Sequence, residues 1–596
     1  MFFFEKKNQE TFIPWRTPPD RLGPIAKSFL LLFFKKEVLP SLPHALTYLD
    51  ILLFGLALWL VAPLPVSFAG GGADDQLFVL HANAILDGHW LGPFDQVTLI
   101  KGPFYPLFLA GASLLHLPIQ IATEIPALLG ALLASRVAGL LMQRRWVATL
   151  CFAAVALNPA PLSVVATLLN REPLYAGLLL LTLALAARAW LLPAGVIWSA
   201  LLGLAFAAFW LTREEGLLII PPLALLAAWR VGDDLGQGWR FAARRVPRVL
   251  LVPALAAALP WLLVAEINRI DYGVFRTSDY KAPPVLAAYS ALTRIRHDHW
   301  TVTVPIPRDA FARAYSISPA ARMLAPNLEG PGRAFWANVS CRDEPFAGCD
   351  DIEAGWIMWA LRGAVTAAGQ YGSAKQADRF FKRLAGEVNA ACDAGTIPCV
   401  GRRSSLLPPL QASVVPLFAR DILDVAWDTA RLGPTALGAI PTLVSPSDYP
   451  PYQRVTPGSV ISPPHVPGNL HSPGLPPPQR AVATFLVYVM PLVTIPCLPA
   501  ALLWTMCLVV SDLRCLRVSA LTALVAALAG AVVLRITFLG VMKAVLFPMQ
   551  FRYESPAFPL VLLLSAMFIA RAVVWAQSAF KPALQRAAEF AHPGKT

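Results

Sequence analysis

The chain alternates long apolar runs with short polar turns from about residue 46 to 267, and again from about 481 to 580. A helix needs roughly 20 apolar residues to cross the ~30 Å hydrocarbon core of a bilayer. That rule predicts spans near 46–67, 121–142, 147–166, 174–193, 195–212, 216–230, 248–267, 481–510, 518–540 and 556–577. Between the two blocks, residues 268–480 lose this pattern. There, 351–391 carries apolar residues at helical spacing and reads as two helices broken near Gly369–Gly372. Ile352, Trp356, Trp359 and Val365 would form one buried face, and Phe380, Leu384 and Val388 another. From about 404 to 479 proline and glycine dominate, which predicts an irregular, extended segment packing over the membrane part or linking back to it. The fold class expected is an all-α polytopic membrane protein of about 10–13 transmembrane helices with a large, mainly helical insertion.

Composition agrees. Hydrophobic residues make up 56% of the chain and charged residues 14%, with a mean hydropathy of +0.57, which excludes an ordinary soluble globule. The net charge of +13 has no aromatic-interleaved basic patch behind it, so no nucleic-acid partner is expected. Its basic residues cluster instead in short segments between spans: Lys35–Lys36, Arg144–Arg145, Arg240–Arg248, Arg514 and Arg517. The positive-inside rule then puts both termini in the cytoplasm. The chain divides accordingly into a cytoplasmic segment 1–45, a membrane core 46–267 with a first outer loop 69–118, an extracytoplasmic region 268–480, C-terminal spans 481–580 and a cytoplasmic tail 581–596. The charge balance holds only if 104–117 does not cross, so that stretch is read as re-entrant or interfacial. The N-terminus lacks the pattern of a cleaved signal, leaving the first span as an anchor.

Four of the eight cysteines lie in or beside spans; the other four form two close pairs, Cys341 with Cys349 and Cys392 with Cys399. With no histidine at zinc-like spacing, two local disulfides in an oxidising compartment are expected. His297 and His299 read as surface histidines rather than a metal site.

Candidate chemistry gathers on the outer side. The first span ends at Phe68, three glycines follow, and Asp74 and Asp75 open an amphipathic segment. Capping a helix explains one acid; two beside a membrane also suit a base or a cation contact. Adjacent helical residues point about 100° apart, so one of the two faces a given cavity, and Asp75 is favoured. Lys101 in LIKGPFYP, Arg171-Glu172, and Arg213-Glu214-Glu215 converge on the same face, with Arg552-Tyr553 opening the last span and Arg535 inside the one before. A mixed acid and arginine cluster suits a sugar phosphate, and arginine can clamp phosphate bidentately. A divalent cation would fit on Asp75 and Glu172.

These motifs, in this order, resemble the C-fold superfamily of integral-membrane glycosyltransferases, nearest the branch of the lipid A aminoarabinose transferase and the protein O-mannosyltransferases. The resemblance covers about 46–270 and the last span. It rests on Asp74-Asp75, on Lys101-Gly102-Pro103-Phe104-Tyr105, on Arg171-Glu172, and on Arg552-Tyr553 with Pro556. Here the lysine is followed by Gly102 and a single proline rather than two prolines, and the large 268–480 insertion looks unlike that of the family, so the acceptor's identity does not carry over. The resemblance implies transfer of a sugar, hexosyl or pentosyl, from a polyprenyl-phosphate donor to an envelope glycan, lipid or protein. That transfer would occur on the periplasmic side of a bacterial inner membrane, with inversion. Asp74 or Asp75 would be the base or metal contact, and Lys101 and Arg552 would hold the phosphate. Two other classes use similar residues: a flippase for lipid-linked saccharides, and a non-catalytic envelope assembly factor. No internal repeat of the transporter kind is evident, and the charges sit at span ends rather than the midplane.

Overall fold

A computed structural model describes residues 44–70, 74–193, 195–298, 302–343, 350–407, 409, 412–433, 435–464, 474–546 and 551–591. It separates Met1–Tyr48 from one compact unit, Leu49–Thr596. That unit is all-α among the described residues, with isolated β-bridges only.

Among the described residues seven helices are long and apolar enough to cross a membrane: Ile119–Leu141, Glu172–Leu191, Gly216–Gly236, Trp239–Tyr272, Pro477–Arg514, Ala520–Val545 and Phe551–Ala579. Each covers an expected span. The other three expected spans are shorter helices. His44–Val61 and Val196–Thr212 approach spanning length, whereas the helix expected over 147–166 runs only Arg145–Ala156. Asn158-Pro159-Ala160-Pro161 stops it, because proline cannot continue the hydrogen-bond ladder, and two 3₁₀ turns follow. The Arg240–Arg248 cluster is not a loop. It forms the first turns of Trp239–Tyr272, a helix of 34 residues and about 51 Å, far longer than the hydrocarbon core. Arginine is a good helix former, and the helix continues through Pro247 within that run. Phe104–Leu114, 11 residues, extends only about 16 Å and cannot cross, in keeping with the re-entrant reading.

The core is built on close helix approach. A Cβ on Gly130 would lie 2.7 Å from the Leu181 nitrogen, and one on Gly177 would lie 2.7 Å from that of Ala127. Two glycines facing across one interface let Ile119–Leu141 and Glu172–Leu191 pack backbone to backbone, as small residues do between membrane helices. This pair sets the position of Arg171 and Glu172 at its end.

The insertion carries its own core, with Ile352, Val365, Phe380, Leu384 and Val388 buried among the helices Pro283–Leu292, Arg308–Ile317, Ala354–Ala367 and Ala374–Asp393. Trp356 and Trp359 are only partly buried at its edge. Cys392–Cys399 is a disulfide. Cys349, and with it the Cys341–Cys349 pairing, lies outside the described residues, as does His299. The proline-rich part differs from expectation in containing a regular helix, Val415–Ala430, packed against Ala520–Val545. Its sequence VPLFARDILDVAWDTA places Pro416 in the first turn, where proline is tolerated, and buries Val425. Beyond it a short helix, Pro450–Val455, follows, and bridges run back to the end of the first span and to the turn after Ala156, Val66 to Ile461 and Ser163 to Leu437.

Candidate active site

The loop after the first helix is folded by Asp75. Its carboxylate accepts from the Ala69 N–H at 2.7 Å and from the Gly70 N–H at 3.1 and 3.2 Å. Gly70 has φ +57°, a conformation that L side chains avoid. Asp75 is thus turned back toward its own backbone and buried. Burial raises its carboxyl above the ordinary value, and the bonds from Gly70, Ala69 and Gln76 only partly offset this.

Asp74 faces the other way. Its carboxylate is 36% exposed and lies 3.5 Å from Lys101 Nζ. Burial pulls its carboxyl upward, but Lys101, Arg171 and Arg552 outweigh that and hold it below the ordinary 3.8. The expectation that Asp75 is the acid turned to the ligand is therefore reversed: the helix that starts at Asp74 gives the second acid to the loop and the first to Lys101.

Lys101 is placed by its neighbour. A Cβ on Gly102 would lie 2.0 Å from the Leu211 carbonyl oxygen, so only glycine lets this loop press against the end of Val196–Thr212. The ammonium then sits 5.6 Å from the Tyr280 ring centroid and 5.4 Å from that of Trp359. Both rings come from the insertion, which is fastened to the first loop by Asp279 N–H to Leu99 O (2.6 Å), Trp90 Nε1 to Asn268 Oδ1 (2.7 Å) and Tyr272 Oη to Gly92 O (2.8 Å).

The remaining charges form a ladder. Arg171 donates to Glu214 (3.1 and 3.2 Å) and to the Thr212 carbonyl (2.9 Å). Arg213 pairs with Glu172 and with Glu215 at 2.8 Å, lying over the Tyr175 and Tyr553 rings. Arg535 reaches Glu215 at 3.5 Å and donates to the Tyr553 carbonyl at 2.5 Å. Burial opposes ionisation of Glu214, but Arg171 and Lys101 override it and push its carboxyl down to about 2. Arg552 stands apart. It donates to the Tyr553 hydroxyl at 3.1 Å, has no carboxylate partner among the described residues, and leaves Nε without an acceptor.

Every expected site residue is therefore in one cluster, in two kinds of position. Arg171, Glu172, Arg213 and Glu214 are committed to the ladder, whereas Asp74 and Lys101 pair with each other and Arg552 has no carboxylate partner among the described residues. A metal on Asp75 and Glu172 does not fit: the carboxylate of one is spent on backbone N–H groups and that of the other is paired with Arg213. No group of three or more His, Cys, Asp or Glu able to hold a metal occurs among the described residues. Sequence reasoning missed Tyr280 and Trp359, whose spacing signals only an ordinary helix face. It also missed Glu124, which was legible as a lone acid in an apolar helix.

No family model and no curated protein matches the chain. Among solved structures, the chain is similar to ArnT from Cupriavidus metallidurans bound to undecaprenyl phosphate, at 15% identity and a TM-score of 0.30 over 85% of this chain and 78% of that one. It is also similar to the arabinosyltransferase EmbB from Mycobacterium smegmatis, at 16% identity and a TM-score of 0.29 over 87% of this chain and 43% of that one. Such scores leave the chemistry to be read from the cluster itself.

Proposed function

We propose that the chain is a membrane glycosyltransferase that moves a sugar from a polyprenyl-phosphate donor to an acceptor outside the cytoplasmic membrane, with inversion at the anomeric carbon. One observation carries this: on this face Asp74 and Lys101 stand outside the ladder, paired at 3.5 Å with each other, and Arg552 has no carboxylate partner among the described residues. A base and two cations for one leaving phosphate are what direct displacement requires.

In this reading the donor phosphate binds Lys101 and Arg552, and charge developing on it as the glycosidic bond breaks is offset by both. Asp74 takes the proton of the acceptor hydroxyl or amine as that atom attacks the anomeric carbon from the opposite side. A carboxyl held below 3.8 is a poor base, and its chief ion partner here is Lys101. Phosphate that draws Lys101 away therefore raises the basicity of Asp74 when it is needed. The metal contact suggested by the sequence plays no part in these steps.

The test is to incubate the purified full chain with labelled polyprenyl-phosphate sugars and follow label leaving the lipid, with Asp74→Asn and Asp75→Asn as controls. Release that Asp74→Asn abolishes supports the assignment. Release unchanged in both variants removes the base, and no release from any donor across a range of acceptors moves the chain to transport or scaffolding.

A further inference from the structure

Trp239–Tyr272 packs on Val196–Thr212 and Ile220–Gly236 and leaves one side open. At about 100° per residue, Arg240, Arg244, Arg248, Leu251, Leu255 and Leu259 fall within one sector about 100° wide. All six are exposed, the three leucines at 57%, 67% and 67%. On a membrane helix so open a leucine face is turned to lipid, whose tails are as apolar as leucine itself. Residues 249–265 carry no charge and extend about 26 Å, close to the ~30 Å hydrocarbon core. Arg248 therefore stands at the hydrocarbon edge. Arg244 and Arg240 follow about 6 and 12 Å beyond it, across the head-group layer.

These three arginines are free because the acids beside them are used. Arg230 donates from Nε to Asp234 at 3.1 Å and lies 3.7 Å from Asp233. Arg245, the fourth arginine of the run, turns to within 3.9 Å of Asp234. Arg240, Arg244 and Arg248 have no ion pair among the described residues. The far end of the stripe is different, for Glu266 is paired there with Arg269. One end of the lipid face is cationic and the other neutral. The charge bias that sets topology requires no arginine to face lipid. Here the helix period and the pairing within 230–245 put three there.

We propose that the stripe Arg240–Arg244–Arg248 binds anionic phospholipid head groups of the adjoining leaflet, with their acyl chains along Leu251, Leu255 and Leu259. Guanidinium groups match phosphate oxygens two at a time. A zwitterionic lipid offers the same phosphate, but its own ammonium cancels the charge, so three unpaired arginines select a net negative head. Each arginine near an anionic membrane surface adds roughly a fivefold preference. The stripe lies at the opposite end of its helix from Tyr272, which is tied to the first loop through Gly92. Its binding is independent of the reaction proposed above.

Native mass spectrometry of the purified full chain tests this, with phosphatidylglycerol or phosphatidylethanolamine of matched chains added to the detergent and bound lipids counted. Phosphatidylglycerol should bind the more tightly. Combining Arg240→Gln, Arg244→Gln and Arg248→Gln should weaken its tightest binding on the order of 10²-fold and leave phosphatidylethanolamine unchanged. The same three positions changed to lysine should recover most of the loss. As a control, Arg379→Gln, Lys382→Gln and Arg383→Gln together remove three exposed cations from Ala374–Asp393 in the insertion and should change neither lipid. If the triple glutamine variant fails to fold by thermal melting, Arg244→Gln alone, expected to cost about fivefold, decides. Equal binding of the two lipids, a stripe variant that keeps its phosphatidylglycerol, or an equal loss in the insertion control would each overturn the proposal. So would a dimer that the stripe variant splits, which would put a second copy of the chain on this face.

Discussion

Both the charged end of the membrane core and the insertion are rich in ion pairs, but they use them differently. In the insertion the pairs close on themselves: Asp393 takes Arg294 at 2.8 Å and Arg402 at 2.5 Å, and Arg333 takes Asp351 at 3.0 Å and Glu329 at 3.3 Å. Several reach solvent, the Arg402 side chain being 74% exposed. At the end of the core the ladder Arg171–Glu214, Arg213–Glu172, Arg213–Glu215 and Arg535–Glu215 is largely buried, and it stops short of Asp74, Lys101 and Arg552. A closed set of pairs holds a shape. An incomplete one holds a shape and keeps charge in reserve for a ligand.

The sharpest way to break the comparison is within the acid pair. Asp74→Asn should lower sugar release by about 10²–10⁴-fold, the usual worth of a general base, with an unchanged melting temperature. Asp75→Ala should do the reverse. It strands the Ala69 and Gly70 N–H groups and should cost about 2–3 kcal/mol of stability, read by thermal unfolding, while turnover per folded molecule falls much less. Similar effects from the two acids would erase the distinction drawn between them. For the reserved cation, Arg552→Ala should reduce release by roughly 10²-fold, as loss of one preorganised donor to a developing anion does.

Much of this was legible in the sequence, for reasons that separate by residue. Of ten expected spans, seven are helices of spanning length among the described residues, because length and apolarity are what a bilayer demands. Asp74, Lys101, Arg171, Arg213 and Arg552 were readable because charge at span ends on one face must be solvated, paired or used. What could not be read was direction. The choice between Asp74 and Asp75 depends on Gly70 turning its N–H back onto the second acid, and nothing in the string ADD states that. The early stop at Ala156 was readable from its prolines but was overridden by the hydrophobicity of 160–166. Trp359 sits over Lys101 through a contact between residues 258 positions apart, beyond any local pattern.

The ladder predicts next. Arg213→Ala leaves Glu172 and Glu215 buried without their main partner and should cost about 3–5 kcal/mol, measured by unfolding of the purified protein. Arg402→Ala, on an exposed pair, should leave the melting temperature unchanged. Equal losses would mean that burial does not distinguish the two regions. Acid should act in the same order. Glu214 has an ordinary value of 4.5 and sits at about 2 when folded, so its contribution is complete above 4.5 and is lost as pH falls from there toward 2. Asp75, raised by burial, has the opposite sign: its contribution is present below 3.8 and lost as pH rises through its folded value. For activity, the acid limb of kcat/KM reports the free enzyme and should lie below 3.8, where Lys101, Arg171 and Arg552 hold Asp74. The limb of kcat reports the donor complex and should lie higher, because phosphate has then taken Lys101. Coincident limbs would show that Lys101 stays on Asp74 throughout.

The smallest effect probes the seam between the two regions. Trp359 belongs to the insertion by its helix, Ala354–Ala367, and to the site by its ring, 5.4 Å from the Lys101 ammonium. A cation held over an aromatic face gains about 0.5–1 kcal/mol where solvent reaches it. Trp359→Ala should therefore loosen Lys101 and raise the donor KM about two- to fivefold, with kcat nearly unchanged because Asp74 is untouched. Trp359→Phe, which keeps a face for the cation, should recover most of the loss. If both variants leave KM unchanged, the insertion only covers the site. If kcat falls instead, the ring acts on the transition state, and the closed region takes part in chemistry that its completed ion pairs gave no reason to expect.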